Sequence, residues 1–103
     1  MRVVQWMPEA LARLDGIEAH IGQESPKAAE AVVASILART RQLATVPESG
    51  RQVSDYQRED VRELLERPYR IIYQITSKRV EILNVLHYRQ LLSNQSNLID
   101  PPP

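Results

Sequence analysis

Three residues in the second half of the chain could do chemistry together. In "RPYRIIYQITSKRVEILNVLHYRQLL", residues 67 to 92, Arg70 and Arg89 stand at opposite ends of two apolar segments, with His87 beside the second. A charged side chain in an apolar strand has to be solvated, paired or used. Two guanidinium groups can grip an anion, and an imidazole titrates near neutrality, so the set could hold an RNA phosphate and move a proton. The other reading is structural: Glu63, Glu66 and Glu81 lie close enough in sequence to pair with the arginines. Spacing alone leaves both open. A turn at Ser77–Lys78 sets Arg70 roughly across from Val85. Arg70, His87 and Arg89 then line one end of a sheet if twist or a bulge turns them to the same face.

The elements that must position these residues can be read from period and punctuation. "RVVQW", residues 2 to 6, is β-branched and aromatic and predicts a first strand, with Trp6 anchoring it to the core. Pro8 suits a first helical turn, and Leu11, Leu14, Ile17 and Ile21 form an apolar stripe ending near Gly22. His20 falls on the rim of that helix. Ser25 and Pro26 cap and open a second helix, whose face is Ala29, Val32, Val33, Ile36, Leu37, Leu43 and Ala44 and whose end is Pro47. A connection this short makes the two helices an antiparallel hairpin.

Residues 47 to 60 read as a polar connection, after which the period changes from helical to alternating. "VRELLER" predicts a strand. "YRIIYQI" puts Tyr69, Ile71, Tyr73 and Ile75 on one face, with Arg70, Ile72 and Gln74 on the other. "VEILNVLHYR" puts Val80, Ile82, Asn84, Leu86 and Tyr88 on one face, with Glu81, Leu83, Val85, His87 and Arg89 on the other. Tyr69, Tyr73 and Tyr88 read as core and rim rather than as a base-stacking platform. The architecture expected is α+β, β–α–α–β–β–β: a helix hairpin on one face of a small, mostly antiparallel sheet. Residues 1–92 make a single domain, and residues 93–103 a polar, proline-terminated tail.

Composition narrows the function. Lys+Arg 13 against Asp+Glu 13 gives no net field to draw the chain onto nucleic acid, although eleven of the cations are Arg and only Lys27 and Lys78 are Lys. Arginine positions and stabilises anions better than it moves protons. The absence of Cys excludes disulfides and thiolate chemistry. No metal or cofactor motif stands out. The early Arg2 is followed by no apolar run of about 7–15 residues, so a signal peptide is not expected, and no segment approaches the ~18 apolar residues of a membrane span. A cytoplasmic protein is expected.

The ordered motifs resemble a known group. "W-x-P-x-A" at Trp6, Pro8 and Ala10, and "P-x-x-G-R" at Pro47, Gly50 and Arg51, are followed by "R-E-L" at Arg62 to Leu64. "Y-R-I-I-Y" at Tyr69 to Tyr73 and "V-x-I-L-x-V-x-H-x-R" from Val80 to Arg89 complete the set, which is similar to the ParE/RelE superfamily of type II toxin–antitoxin toxins. The resemblance implies a bacterial toxin neutralised by a cognate antitoxin. RelE-like members cleave messenger RNA on the ribosome; ParE-like members poison DNA gyrase. Arg70 and Arg89 match two arginines that RelE-like nucleases place around the scissile phosphate. The lysine-rich strand of those nucleases reads "VRELLER" here, without Lys, and the chain is neutral rather than basic. Both departures favour the ParE-like branch, with DNA gyrase as target and a ParD-like antitoxin as partner. The alternative is a ribosome-dependent messenger endoribonuclease with Arg70, His87 and Arg89 as its catalytic residues.

Overall fold

The computed structural model describes residues 1–53 and 56–88. Its elements run β1 (Val3–Trp6), α1 (Pro8–Gly22), α2 (Pro26–Arg41), β2 (Arg51–Gln52), β3 (Val61–Glu66), β4 (Tyr69–Ile75) and β5 (Arg79–His87). The sheet has five strands in the order β1-β5-β4-β3-β2; only the β1–β5 pair is parallel. The α+β arrangement is the one expected, with an added strand. That strand, β2, lies inside the stretch read as a polar connection, and its two residues pair with Glu63 and Arg62. Two residues are too few to show a period, so the pattern could not announce it.

The helix hairpin packs as the patterns require. Ser25 Oγ accepts the backbone N–H of Ala28 at 3.1 Å, and Pro26 occupies the first turn. At the start of α1, Met7 offers no side-chain cap. Helix α1 lies on β5 and α2 on β3, and they bury Ala10, Leu14 and Ile36 against Leu64, Ile71, Tyr73, Val80, Ile82 and Val85. Trp6 packs against this core. Leu11, expected in the stripe, is instead 47% exposed, because Ala10 and Leu14 take the inward positions.

Two further expectations need correction. Helix α2 ends at Arg41, not at Pro47: two 3₁₀ turns, Gln42–Ala44 and Pro47–Ser49, fill the gap. The carbonyl of Ala44 accepts the N–H of Arg2 at 2.9 Å, which ties the chain to β1, and the tightened turn drives Leu43 fully into the core. The second correction is on β5. Ile72 faces Asn84 but Tyr73 faces Ile82, so Leu83 is an extra residue in the ladder. Beyond it the faces exchange. Val80, Ile82 and Val85 point to the helices, whereas Leu86 joins Val53, Val61 and Ile72 in a second cluster on the opposite face. The strict alternation read from the sequence holds only as far as Ile82.

The expected domain boundary at residue 92 and the tail 93–103 lie outside the described residues.

Candidate functional site

Glu63 organises the sheet face that the helices leave uncovered. On β3 it stands opposite Arg51 of β2 on one side and Ile72 of β4 on the other, so its carboxylate points away from the helix side. Arg70, two residues before Ile72, reaches the same face. Its Nε donates to Glu63 Oε1 and its Nη2 to Oε2, both at 2.9 Å, a bidentate fork. Arg51 Nη2 donates to Oε1 at 3.3 Å. The Glu63 side chain is 4% exposed and that of Arg70 15%, whereas Arg51 is largely in solvent. Burial works to raise the Glu63 pKa, but the hydrogen bonds and charges of Arg70 and Arg51 outweigh it and hold the carboxyl below its ordinary range. Glu63 is therefore ionised at neutral pH.

Around this cluster lies a groove of about 460 Å³. Arg51, Arg67 and Arg70 line it with Leu65, Pro68, Tyr69 and Tyr88. Its charge is positive on balance and its walls are mainly apolar. Of the tyrosines, Tyr73 is fully buried, Tyr69 half-buried and Tyr88 51% exposed, which fits their reading as core and rim.

The expected anion site is divided. Arg70 opposes Leu86, while His87 opposes Tyr69. Neighbouring ladder positions face opposite ways, so Arg70 and His87 lie on opposite sides of the sheet. The His87 ring meets the Tyr69 ring edge-on with centroids 6.3 Å apart, and it lines a separate cleft with Arg13, Ile17 and His20 of α1. Arg89 lies outside the described residues. The bulge invoked to unite the site residues does exist, but it has the opposite effect. Between Ile82 and Asn84 it moves the partner of Arg70 from Val85 to Leu86 and so turns His87 to the other side of the sheet. Of the other acids named, Glu66 lies 3.8 Å from Arg39 and Glu81 2.7 Å from Arg79.

The "P-x-x-G-R" motif has a structural explanation. Tyr73 Oη donates to the Pro47 carbonyl at 2.7 Å and accepts the Gly50 N–H at 2.9 Å. Arg62 Nη1 donates to the Gly50 carbonyl at 3.0 Å. Burial pushes the Tyr73 hydroxyl above its ordinary pKa, against the lowering effect of the Gly50 N–H, so it stays protonated and can donate. These bonds fix β2 against β3 and place Arg51 beside Glu63. Sequence reasoning used Arg51 only as a motif letter and passed over Arg67. The signal available was the pairing of a short strand with "VRELLE", which places Arg51 across from Glu63.

With this geometry in hand, comparison with known proteins is informative. The profile of the ParE toxin of type II toxin–antitoxin systems, parDE, matches residues 4–92. The chain belongs to that family: it is a toxin of the type II toxin–antitoxin class. Among relatives, Y4kP of Sinorhizobium fredii (strain NBRC 101917 / NGR234), named as a candidate toxin, is 43% identical over 89 residues, covering 84% of this chain and 88% of its own. Toxin RelE2 of Caulobacter vibrioides is 35% identical over 91 residues, covering 88% of this chain and 100% of its own. A chain from a structure titled as the chromosomal ParDE system of P. aeruginosa superposes with a TM-score of 0.71 at 28% identity, over 84% of this chain and 96% of that one.

Proposed function

We propose that this toxin acts by binding DNA gyrase and arresting replication in the cytoplasm, and that a ParD-like antitoxin neutralises it. The observation that carries this reading is the separation of Arg70 from His87 by the thickness of the sheet. A nuclease needs a proton-transfer group within hydrogen-bond reach of the phosphate its arginines hold. On the Arg70 face, among the described residues, Glu63 is a titratable partner of Arg70, and it is committed as a carboxylate to two guanidinium groups. A zero net charge also gives little purchase on ribosomal RNA. The likeness to a structure of a ParDE system supports the choice of antitoxin.

The ribonuclease remains a second reading because one relative carries the name RelE2 and because the groove holds three arginines. In it, Arg70 and Arg89 would hold the phosphate and His87 would transfer the proton. Pulse labelling after induction separates the two. Gyrase binding predicts that thymidine incorporation falls first, cells filament and the DNA-damage response rises. Purified toxin should also impair gyrase supercoiling or trap cleaved DNA when ATP is present. An immediate fall in amino-acid incorporation with cleaved messenger, before any fall in thymidine incorporation, transfers the case to the ribonuclease.

A further inference from the structure

The positive surplus of the groove does not lie on Arg70. That guanidinium is matched by the two oxygens of Glu63, so the pair adds no net charge. The surplus belongs to Arg51 and Arg67. Arg51 commits one donor, Nη2 at 3.3 Å, to the same carboxylate, and its side chain is 64% exposed. Arg67, in the turn between β3 and β4, is exposed and takes no part in any ion pair among the described residues. The same groove exposes Leu65 and Pro68. A strand edge adjoins them. The Val53 N–H donates to the Val61 carbonyl at 3.3 Å, so Val61 turns its backbone groups toward β2, and by alternation Glu63 and Leu65 do as well. The two residues of β2 pair with Glu63 and Arg62; past Glu63, among the described residues, no strand lies along β3 on that side. The Leu65 carbonyl takes a 3.3 Å bond from Arg39 Nε in place of a partner strand.

Each feature asks for something different. Carboxylates suit the two guanidinium groups, an apolar side chain suits Leu65 and Pro68, and an extended backbone suits the edge of β3. A polypeptide brings all three together. A nucleic acid offers charge, but no strand to pair and no aliphatic side chain for Leu65 to meet. We propose that this groove is the surface through which the toxin grips its protein target, and that the segment of gyrase it takes is extended, acidic and apolar at one or more positions. The assignment rests on the gyrase reading and adds to it a place on the toxin and a chemistry for the partner. Arg51 and Arg67 draw the acidic segment in, and Leu65 with Pro68 cover its apolar side chain. Both cations stand in solvent, so salt screens the attraction.

The test is biolayer interferometry of the purified full chain on purified gyrase holoenzyme, across a salt series and with melting temperatures measured alongside. Arg67→Glu is the main variant, because that side chain is exposed and joins no ion pair among the described residues. Arg51→Gln is the second. Arg67→Glu should weaken gyrase binding about tenfold and Arg51→Gln about threefold, and rising salt should weaken the wild type. Excess of a short peptide of alternating glutamate and leucine should displace wild-type toxin from gyrase, and its glutamine counterpart should not. Gyrase binding unchanged in both folded variants overturns the proposal and leaves the gyrase reading standing. A wild-type chain that does not bind gyrase removes that reading, and the proposal with it. Equal displacement by the glutamine peptide overturns the acidic chemistry. If Arg67→Glu keeps gyrase binding but no longer co-purifies with the antitoxin, the groove belongs to the antitoxin. If it keeps gyrase binding but releases a labelled single-stranded RNA that the wild type holds, the groove belongs to nucleic acid. Either result overturns the proposal.

Discussion

At the scale of the residue, the arginine in an apolar strand turns out to be paired, and the identity of its partner sets the consequences. A solvated Arg70 could be replaced at almost no cost. Instead, Arg70→Gln strands a nearly inaccessible carboxylate, so about 3 kcal/mol of stability should be lost at neutral pH, measured by denaturant melts. Glu63→Gln is expected to cost less, about 2 kcal/mol, because Arg70 opens onto the groove and keeps an amide acceptor. Acid behaviour gives an independent check. The folded-state pKa of Glu63 lies below the ordinary 4.5, so its contribution is complete above about pH 4.5 and is lost as pH falls through the folded value. Asp60, held down by the side chains of Arg58 and Gln74 against the opposing effect of burial, adds loss in the same direction. Wild-type stability should therefore decline below about pH 4.5, and Glu63→Gln should flatten part of that decline. An unchanged acid limb in Glu63→Gln would place the titrating carboxylate elsewhere. That Arg70 could pair with Glu63 was one of the readings the sequence left open; that Glu63 would be held from two strands at once was not legible, since β2 left no periodic trace.

Among the elements, the short piece of chain from Pro47 to Gln52 contributes more than its length suggests. A Cβ on Gly50 would come within 2.5 Å of Tyr73 Oη and 2.6 Å of the Glu63 carbonyl. Its φ of −77° is open to any residue, so glycine is required there by close approach, not by backbone conformation. Gly50→Ala should therefore destabilise by about 2–3 kcal/mol through overpacking. Tyr73→Phe, which leaves the buried Gly50 N–H without its acceptor, should cost about 2 kcal/mol. The double variant discriminates between causes. Removing Oη relieves only one clash, and the Glu63 carbonyl and Tyr73 Cε1 at 2.8 Å remain. Tyr73→Phe should not rescue Gly50→Ala, and a rescued melting temperature would show that the hydroxyl alone sets the limit. The long elements were legible because their periods persist: Ser25 and Pro26 announce α2, and Ile71 and Tyr73 alternate inward as read. The bulge at Leu83 was not, because Leu83, Val85 and Leu86 are all apolar and give no sign of which face each takes.

For the whole molecule, the arrangement of edges and apolar surface argues for a protein partner. Among the described residues the sheet closes on neither side: β1 and the two-residue β2 are its outer strands, and both end a row of backbone hydrogen-bonding groups. Val3 on β1 is 67% exposed, Leu11 on α1 47%, and Leu65 beside the groove 37%. The parent fold was legible from the order of its motifs, since helix hairpin and meander each carry their own period. What lies across the exposed surface was not, because a sequence records which side chains are apolar but not which second chain covers them. A small antitoxin with an extended or helical tail fits both features, pairing along an open edge or laying apolar side chains over the hairpin. Co-expression with a small neighbouring gene should raise soluble yield and relieve growth arrest, and the two chains should co-purify. At free partner concentrations about a hundredfold above Kd the toxin should gain about 2.7 kcal/mol, seen as a melting temperature that rises with partner concentration. Hydrogen exchange then locates the contact: slowed amides should cluster on β1, on β2 or on the outer faces of α1 and α2. Growth unaffected by the toxin alone, together with no co-purifying chain and no partner-dependent shift in melting, would remove the grounds for an antitoxin complex.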